Sequence, residues 1–385
     1  MKNILFIHQS AELYGSDKTL LVLVVDFKKR GINPIVIIPE FGPLHDCLLH
    51  EEIHTLVLPV LKVSRKMFSI KGVLAFPFQI RKAIKGLDSA LKGMQIDLVY
   101  SNTLAVLLGF FYAQKSKCKH IWHIHEIIRN PKLVKNIFSL LIQSKTNRKI
   151  IYNSIATQQF WEKNKTPTNH IVVWNGLKKP EQNLWTETEL NLFRQQTFNA
   201  QADDIIIGLV GRINKWKGQR LLLEAFAQVA TKHPNIKLVY VGSCPPNQEA
   251  YLAALETQIN AHKLHDRVFI LPFQTNIWQI WQTIDLAVIP SIEPEPFGLV
   301  AIEAMLSQKP VIAAAHGGLV EIIDDGVSGI LFEPNNQTQL VNALENLIED
   351  KALRIQFGLA GLQKAQEQFT EEKYVRNIEN ICLSL

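Results

Sequence analysis

Residues 285–306 read DLAVIPSIEPEPFGLVAIEAML. The first part, DLAVIPS, is an apolar run of the kind found in strands covered on both faces. The loop SIEPEPFG follows, and LVAIEAML then opens a helix. A buried strand running through a short loop into a helix is the repeating unit of a doubly wound parallel sheet, and such sheets bind ligands at the carboxyl ends of their strands. Pro296 suits a first helical position. The amides of Phe297, Gly298 and Leu299 would then face an anion at the positive end of the helix dipole. Gly298 has no Cβ to stand in the way. Glu303 lies about one and a half turns in. A glutamate there also serves as plain dipole stabilisation, but its apolar neighbours argue against a purely surface place.

The unit recurs along the chain. In the first half the runs NILFIH, PIVIIP, TLVLP, DLVYSN, HIWHIH, KIIYNS and IVVWN read as strands. In the second half IIIGLVGR, IKLVYVGS, RVFILP, DLAVIPS, PVIAA and GILFE do the same. Helical stretches such as SDKTLLVLVVDFKKRG and KGQRLLLEAFAQVATKHP lie between, the latter with a His-Pro stop. The fold class expected is α/β. The 385 residues exceed one core, so two domains follow. The boundary falls where residues 176–204 turn polar and lack strand runs, giving domains 1–178 and 179–367. The helical end, about 368–385, is expected to pack back on the first domain.

Composition narrows the class. Apolar residues make up 47% and charged residues 20%, as in globular proteins. The start MKNILFIHQS reads as a first strand and not a secretory signal. The longest apolar run, residues 104–113, is about half of a membrane span. Cys47, Cys118, Cys244 and Cys382 lie far apart without a CxxC, which fits a reducing cytoplasm and no metal or disulfide framework.

Charge divides unevenly. Residues 1–180 hold 26 Lys+Arg against 11 Asp+Glu, and residues 181–385 hold 15 against 24. Residues 62–92 carry eight basic residues and one acid, with Phe68, Phe76 and Phe78 between. Residues 129–149 carry six basic residues and no acid. Two readings stand: a solvated basic face, or a surface that meets anionic lipid at the inner face of the membrane. Nucleic acid is disfavoured, because no helix-turn-helix, finger or RNP pattern occurs.

No GxGxxG and no GxxxxGK[ST] occurs, so neither standard dinucleotide nor P-loop binding is indicated. GRINKWKGQ (211–219) still places Arg212 and Lys217 at a strand-to-helix junction, where they suit phosphate or stand as plain loop cations. In SAELYGSDKTLL (10–21), Gly15 permits a tight turn and Ser16 or Asp17 can cap the helix. HIWHIHE puts His123 and His125 on one strand face, but His-x-His alone is weak grounds for a metal, and none is expected.

With these motifs the chain resembles the retaining nucleotide-sugar glycosyltransferases of the GT-B fold, family-4 glycosyltransferases. Glu295 and Glu303 in EPFGLVAIEAM, then KPVIAAAHGGLVEII, GRINKWKGQ and DGVSGILFEPNN, carry the resemblance. YGSDKTLL, HIHE and VVWNGL match more loosely. It extends over nearly the whole chain, strongest over 205–335 and weakest over 60–92. Two Rossmann-like domains facing each other across a cleft are implied, the first for the acceptor and the second for the donor. Arg212 and Lys217 would neutralise the donor diphosphate, and Glu303 would hold the ribose. Glu295, with the amides of Phe297, Gly298 and Leu299, would engage the sugar and the distal phosphate. His125 matches the histidine that points at the transferred sugar. Gly15, with Ser16 beside it, matches the loop that closes on the phosphates. Tyr14 departs from the Gly-Gly common there, and Lys18 from an arginine. The nucleobase would lie near Phe273. No cofactor or metal is implied: the nucleotide sugar is a co-substrate, UDP-glucose first and GDP-mannose as alternative, and the acceptor is a glycan or lipid-linked glycan. A sugar-nucleotide 2-epimerase and an inactive carbohydrate- or membrane-binding protein are the competing readings.

Overall fold

The structure, a computed structural model, describes residues 2–63, 67, 69–162, 167–245 and 248–385. Arg65, Lys66 and Phe68 of the basic segment lie outside the described residues. The chain forms two compact units. One is Met1–Gly176 with Glu371–Leu385, and the other is Leu177–Thr370.

The first unit is built on β1 (Asn3–His8), β2 (Asn33–Ile38), β3 (His54–Val57), β4 (Leu98–Asn102), β5 (Lys119–Ile124), β6 (Asn147–Tyr152) and β7 (His170–Val172). They form one parallel sheet in the order β3-β2-β1-β4-β5-β6-β7. The second unit has β8 (Ile205–Val210), β9 (Ile236–Val241), β10 (Val268–Leu271), β11 (Leu286–Ile289), β12 (Val311–Ala314) and β13 (Gly329–Phe332). Their order is β10-β9-β8-β11-β12-β13, again parallel. Each run read from the sequence coincides with one strand, and the α/β class holds in both units.

The continuous apolar runs follow from burial on two faces. Ile4 and Phe6 join one core cluster, while Leu5 and Ile7 join another, and all four are fully buried. Successive strand residues point to opposite faces, so both must be covered. Helix Gly15–Lys29 covers one of them through Leu20, Leu23, Val24 and Phe27, spaced at three and four residues. Asp17 in its first turn and Lys28 and Lys29 in its last complement its dipole. In the second unit helix Gln219–Ala230 does the same with Leu222, Leu223, Phe226 and Val229. It ends at Ala230, short of the expected His-Pro stop.

Each sheet has one place where the strand order reverses direction: between β1 and β4, and between β8 and β11. Neighbouring connections leave such a point on opposite faces, which opens a crevice at the carboxyl ends of the two strands.

Two local expectations are corrected. The helix after β11 is Leu299–Leu306 with Gly298 as its N-cap, so Pro296 is not the first helical residue. A helix starting at Pro296 would need the Glu295 carbonyl for its first internal bond, but that carbonyl accepts from Gly318 N at 2.8 Å. Gly15 is the first residue of its helix and not a left-handed turn residue. Asp17 does cap, from the third helical position: its Oδ2 accepts from Tyr14 N at 3.0 Å. No helix among the described residues is long and apolar enough to cross a membrane.

Candidate active site

In the second unit the loops after β8 and β11 meet at the switch point. Gly211, with φ +146, turns the chain out of β8. Asn214 is buried, and its Oδ1 accepts from the amides of Trp216 and Lys217, both at 3.2 Å. This folds residues 214–217 into a tight side-chain-capped turn. Gln219 Nε2 donates to the Arg212 carbonyl at 2.9 Å and closes the loop on its helix. Gly218 has φ +80, and any Cβ there would lie 1.9 Å from the Pro290 carbonyl oxygen. Only glycine lets the first loop pass so near the end of β11. The Ile292 amide donates to Trp216 O at 2.8 Å and clips the two loops together.

That clip brings Lys217 and Glu295 into contact. Lys217 Nζ lies 2.6 Å from Glu295 Oε1, and the same oxygen accepts from Ser291 Oγ at 2.6 Å. Glu295 is buried and Lys217 nearly so. Lys217 also sits 4.5 Å from the centre of the Trp216 ring, a cation–π contact. The resemblance assigns the lysine to phosphate and the glutamate to sugar; the structure pairs them directly. Arg212 is half-buried beside Gly211, and the loop residue Glu293 is exposed.

A third loop supports the second. His316 Nε2 donates to Ser291 O at 2.7 Å, and Gly318 N donates to Glu295 O. A Cβ on Gly317 would lie 2.1 Å from Glu295 O, and one on Gly318 would lie 2.5 Å from Phe297 Cα. The Gly-Gly pair thus admits the backbone of Glu295 and Phe297. Gly298, at φ +120, leads into helix Leu299–Leu306, whose first-turn amides include Leu299 and Val300. Glu303, on that helix, is buried and accepts from Trp281 Nε1 at 3.3 Å. Phe273 follows β10, half-buried, with its amide donating to Ser243 Oγ at 3.0 Å. The second unit therefore gathers Lys217, Glu295 and the Phe297–Leu299 backbone. Ser291, His316 and Asn214, which no motif spacing singles out, hold that cluster in place.

In the first unit His8 and Asn102 end β1 and β4 and are in register. His8 Nε2 lies 2.7 Å from Asp17 Oδ1, and Asn102 Oδ1 lies 3.0 Å from His125 Nε2. His125 is half-buried just past the end of β5. Burial and the neighbouring His8 pull its pKa down to about 3, so it is neutral at ordinary pH. Glu126 accepts from the amides of Leu104 and His125, each at 3.0 Å, and burial holds its carboxyl above the usual range. Gly15 and Ser16 begin the helix after β1, and the Ser16 carbonyl accepts from Asn102 Nδ2 at 3.3 Å. His123 and His125 have ring centres 4.0 Å apart, but no group of three or more metal-ligating side chains occurs among the described residues.

Comparison with known proteins agrees with this architecture. Residues 193–364 match the family described as glycosyl transferases group 1. An uncharacterised glycosyltransferase of Methanocaldococcus jannaschii is 31% identical over 192 residues, 49% of this chain and 47% of that one. Lipopolysaccharide 1,2-N-acetylglucosaminetransferase of Salmonella typhimurium is 25% identical over 325 residues, 81% of this chain and 78% of that one. Most curated relatives are matched over about half of their length or less. Among solved structures, Anabaena HepE in complex with UDP and glucose superposes with a TM-score of 0.86 at 26% identity, covering 100% of both chains. The two doubly wound parallel units are those of the GT-B fold, and the match to the group 1 glycosyl transferases lies in the second unit.

Proposed function

We propose that this protein transfers a hexose from a nucleotide sugar, UDP-glucose first, to a glycan or lipid-linked acceptor with retention at the anomeric carbon. The observation that carries the reading is the cluster at the second switch point. It presents Lys217 against the buried Glu295, the loop that carries Arg212, and the start of the helix on which the buried Glu303 lies. The choice of UDP-glucose is supported by the full-length likeness to HepE, which has been crystallised with UDP-glucose. GDP-mannose is the alternative donor.

The hard step breaks the bond between the anomeric carbon and a phosphate oxygen. Negative charge grows on the leaving diphosphate as positive charge grows on the ring. Lys217, Arg212 and the amides at the start of helix Leu299–Leu306 are preorganised to stabilise that charge without a metal ion. Glu295 exchanges its bond to Lys217 for the sugar hydroxyls as the diphosphate takes the lysine. Glu303, held by Trp281, accepts from the ribose hydroxyls, and Phe273 lies toward the base. In the first unit, which binds the acceptor, His125 meets the transferred sugar, and Gly15 and Ser16 approach the phosphates.

The first unit also carries a basic face with exposed apolar residues. Helix Ile70–Ala90 exposes Val73, Leu74 and Phe78 alongside Lys71, Arg81, Lys82 and Lys85. Helix Lys132–Ile142 exposes Leu133 and Leu140. Apolar side chains that dip into lipid, flanked by cations, are the makings of contact with an anionic membrane.

Thermal-shift measurement with UDP, UDP-glucose, UDP-N-acetylglucosamine and GDP-mannose tests the donor. A ligand at 100 times its Kd stabilises by about 2.7 kcal/mol. Lys217→Ala and Glu303→Ala should remove the shift and the transfer activity while leaving the circular dichroism unchanged. Full activity in either variant, or no shift with any nucleotide sugar, overturns the assignment.

A further inference from the structure

Four side chains at the first switch point are joined end to end. Asp17 Oδ1 lies 2.7 Å from His8 Nε2, His8 Nδ1 lies 3.0 Å from Asn102 Nδ2, and Asn102 Oδ1 lies 3.0 Å from His125 Nε2. Asp17, His8 and Asn102 are buried, and only His125 is partly open.

Asn102 sets the direction of this chain. Its Nδ2 also reaches the Ser16 carbonyl at 3.3 Å. A carbonyl only accepts, so the amide nitrogen belongs on that side and the amide oxygen faces His125. The oxygen in turn only accepts, so His125 carries its proton on Nε2 and its lone pair on Nδ1. The other end agrees. Burial pushes the Asp17 carboxyl up, but bonds from His8, Ser10 and the Tyr14 amide outweigh it and hold it below the usual range. An ionised Asp17 only accepts, so His8 carries a proton on Nε2, while its Nδ1 lies 3.2 Å from the Asn102 carbonyl oxygen and 3.0 Å from Asn102 Nδ2. His125 Nδ1 makes no bond to another described residue.

The backbone beside Asn102 is strained. Thr103, buried and β-branched, has φ +110. It is held there by its own amide donating to His123 O at 2.8 Å and by Trp122 Nε1 donating to its carbonyl at 2.7 Å. Strain of this kind persists only where the surroundings over-determine it, and it gathers at functional sites.

We propose that Asp17, His8 and Asn102 are positioning residues that hold His125 as its Nε2–H tautomer and so present Nδ1 as the acceptor for a hydroxyl of the transferred sugar. The proposal rests on the reading of His125 as the residue that meets that sugar. It adds a fixed polarity: His125 receives a proton-bearing hydroxyl and does not donate to a ring or phosphate oxygen.

Nitrogen-15 NMR of the full chain labelled at histidine decides the tautomer, with the His125 signals assigned by their loss in His125→Phe. The wild type should show a protonated Nε2 and a bare Nδ1. A proton on Nδ1, or exchange between tautomers, overturns the proposal whatever the activity. Asn102→Leu keeps the size and removes the acceptor. It should give averaged ring shifts and a kcat lowered about tenfold with donor KM within about twofold, as for a lost hydrogen bond to a reacting group. Asn102→Asp restores the acceptor and should recover the Nε2–H signature and most of kcat. Unchanged kcat in Asn102→Leu with averaged shifts also overturns the positioning role. If Asn102→Leu does not fold, the wild-type spectrum still decides. Failure of the wild type to bind any nucleotide sugar overturns the proposed function and the role of Nδ1 with it, while the tautomer is judged by the spectrum alone.

Discussion

Gly218→Ala tests the geometry of the second switch point. Gly218 and Gly326 share the left-handed region, at φ +80 and +71, and both lie in the second unit. Around Gly326 nothing lies within 4 Å of an added Cβ. Around Gly218 the Cβ would meet Pro290 O at 1.9 Å and Pro290 C at 2.7 Å. Both are backbone atoms that no side-chain rotation can move, so the two loops must part by about 1.5 Å to reach ordinary contact. Gly326→Ala then carries only the left-handed strain, about 1 kcal/mol, partly offset by the less flexible unfolded chain. Gly218→Ala adds displaced backbone in a packed region, about 1–3 kcal/mol more. The expected losses are about 2–4 kcal/mol for Gly218→Ala and about 1 kcal/mol or less for Gly326→Ala. Urea unfolding followed by tryptophan fluorescence measures both, with a separate transition fitted for each unit. A displaced loop also carries Lys217 away from Glu295, so transfer should fall about a hundredfold in Gly218→Ala. Gly326→Ala should leave transfer unchanged. Equal destabilisation within about 0.5 kcal/mol, or full activity in Gly218→Ala, refutes the steric reasoning.

Two further outcomes are expected. Glu295→Gln keeps the shape beside Lys217 but removes the counter-charge; UDP binding measured by calorimetry should hold or tighten while sugar transfer drops at least about tenfold, and weaker UDP binding would count against the roles assigned. Burial pulls His120 down to about 4 and His123 well below its usual value, and His125 stands at about 3. These groups stay neutral when folded, whereas the unfolded chain protonates them below about pH 6.5. Their contribution to stability is therefore complete above that pH and is lost as pH falls, each with a slope of up to about 1.4 kcal/mol per pH unit. Urea unfolding between pH 7 and 5 reads the slope directly, and a flat profile would contradict neutral burial.

The sheets were legible in the sequence because a strand covered on both faces leaves an unbroken apolar run; the longest apolar run, residues 104–113, is an exception, since it leads into helix Leu108–Ser116. Lys217 and Glu303 were singled out from their places at strand-to-helix junctions, whereas Glu295 entered only through the resemblance. Helix starts were less so. Pro296 has the fixed φ of a first helical residue, yet the Glu295 carbonyl is committed to Gly318, more than twenty positions away in sequence. The Lys217–Glu295 contact was missed for the same reason: it depends on the clip between Ile292 and Trp216. His8 and Asn102 are single polar residues at the ends of apolar runs, and only the β1–β4 register puts them side by side.

The last helix, Glu371–Leu383, belongs to the first unit and supplies Tyr374, Val375, Ile378 and Cys382 to the core around Ile4 and Phe6. Lys2 Nζ reaches back to Cys382 O at 2.6 Å. The chain leaves for the second unit at Leu177 and ends its stay at Thr370, and the two crossings are bonded, Leu177 N to Phe369 O at 2.9 Å. On the ribosome this reverses the usual order. The first unit has an open apolar face until all of Leu177–Thr370 has been made, roughly 10–40 s at ordinary synthesis rates. The second unit, continuous in sequence, completes its own core before the first, so the part of the protein synthesised first is the part finished last.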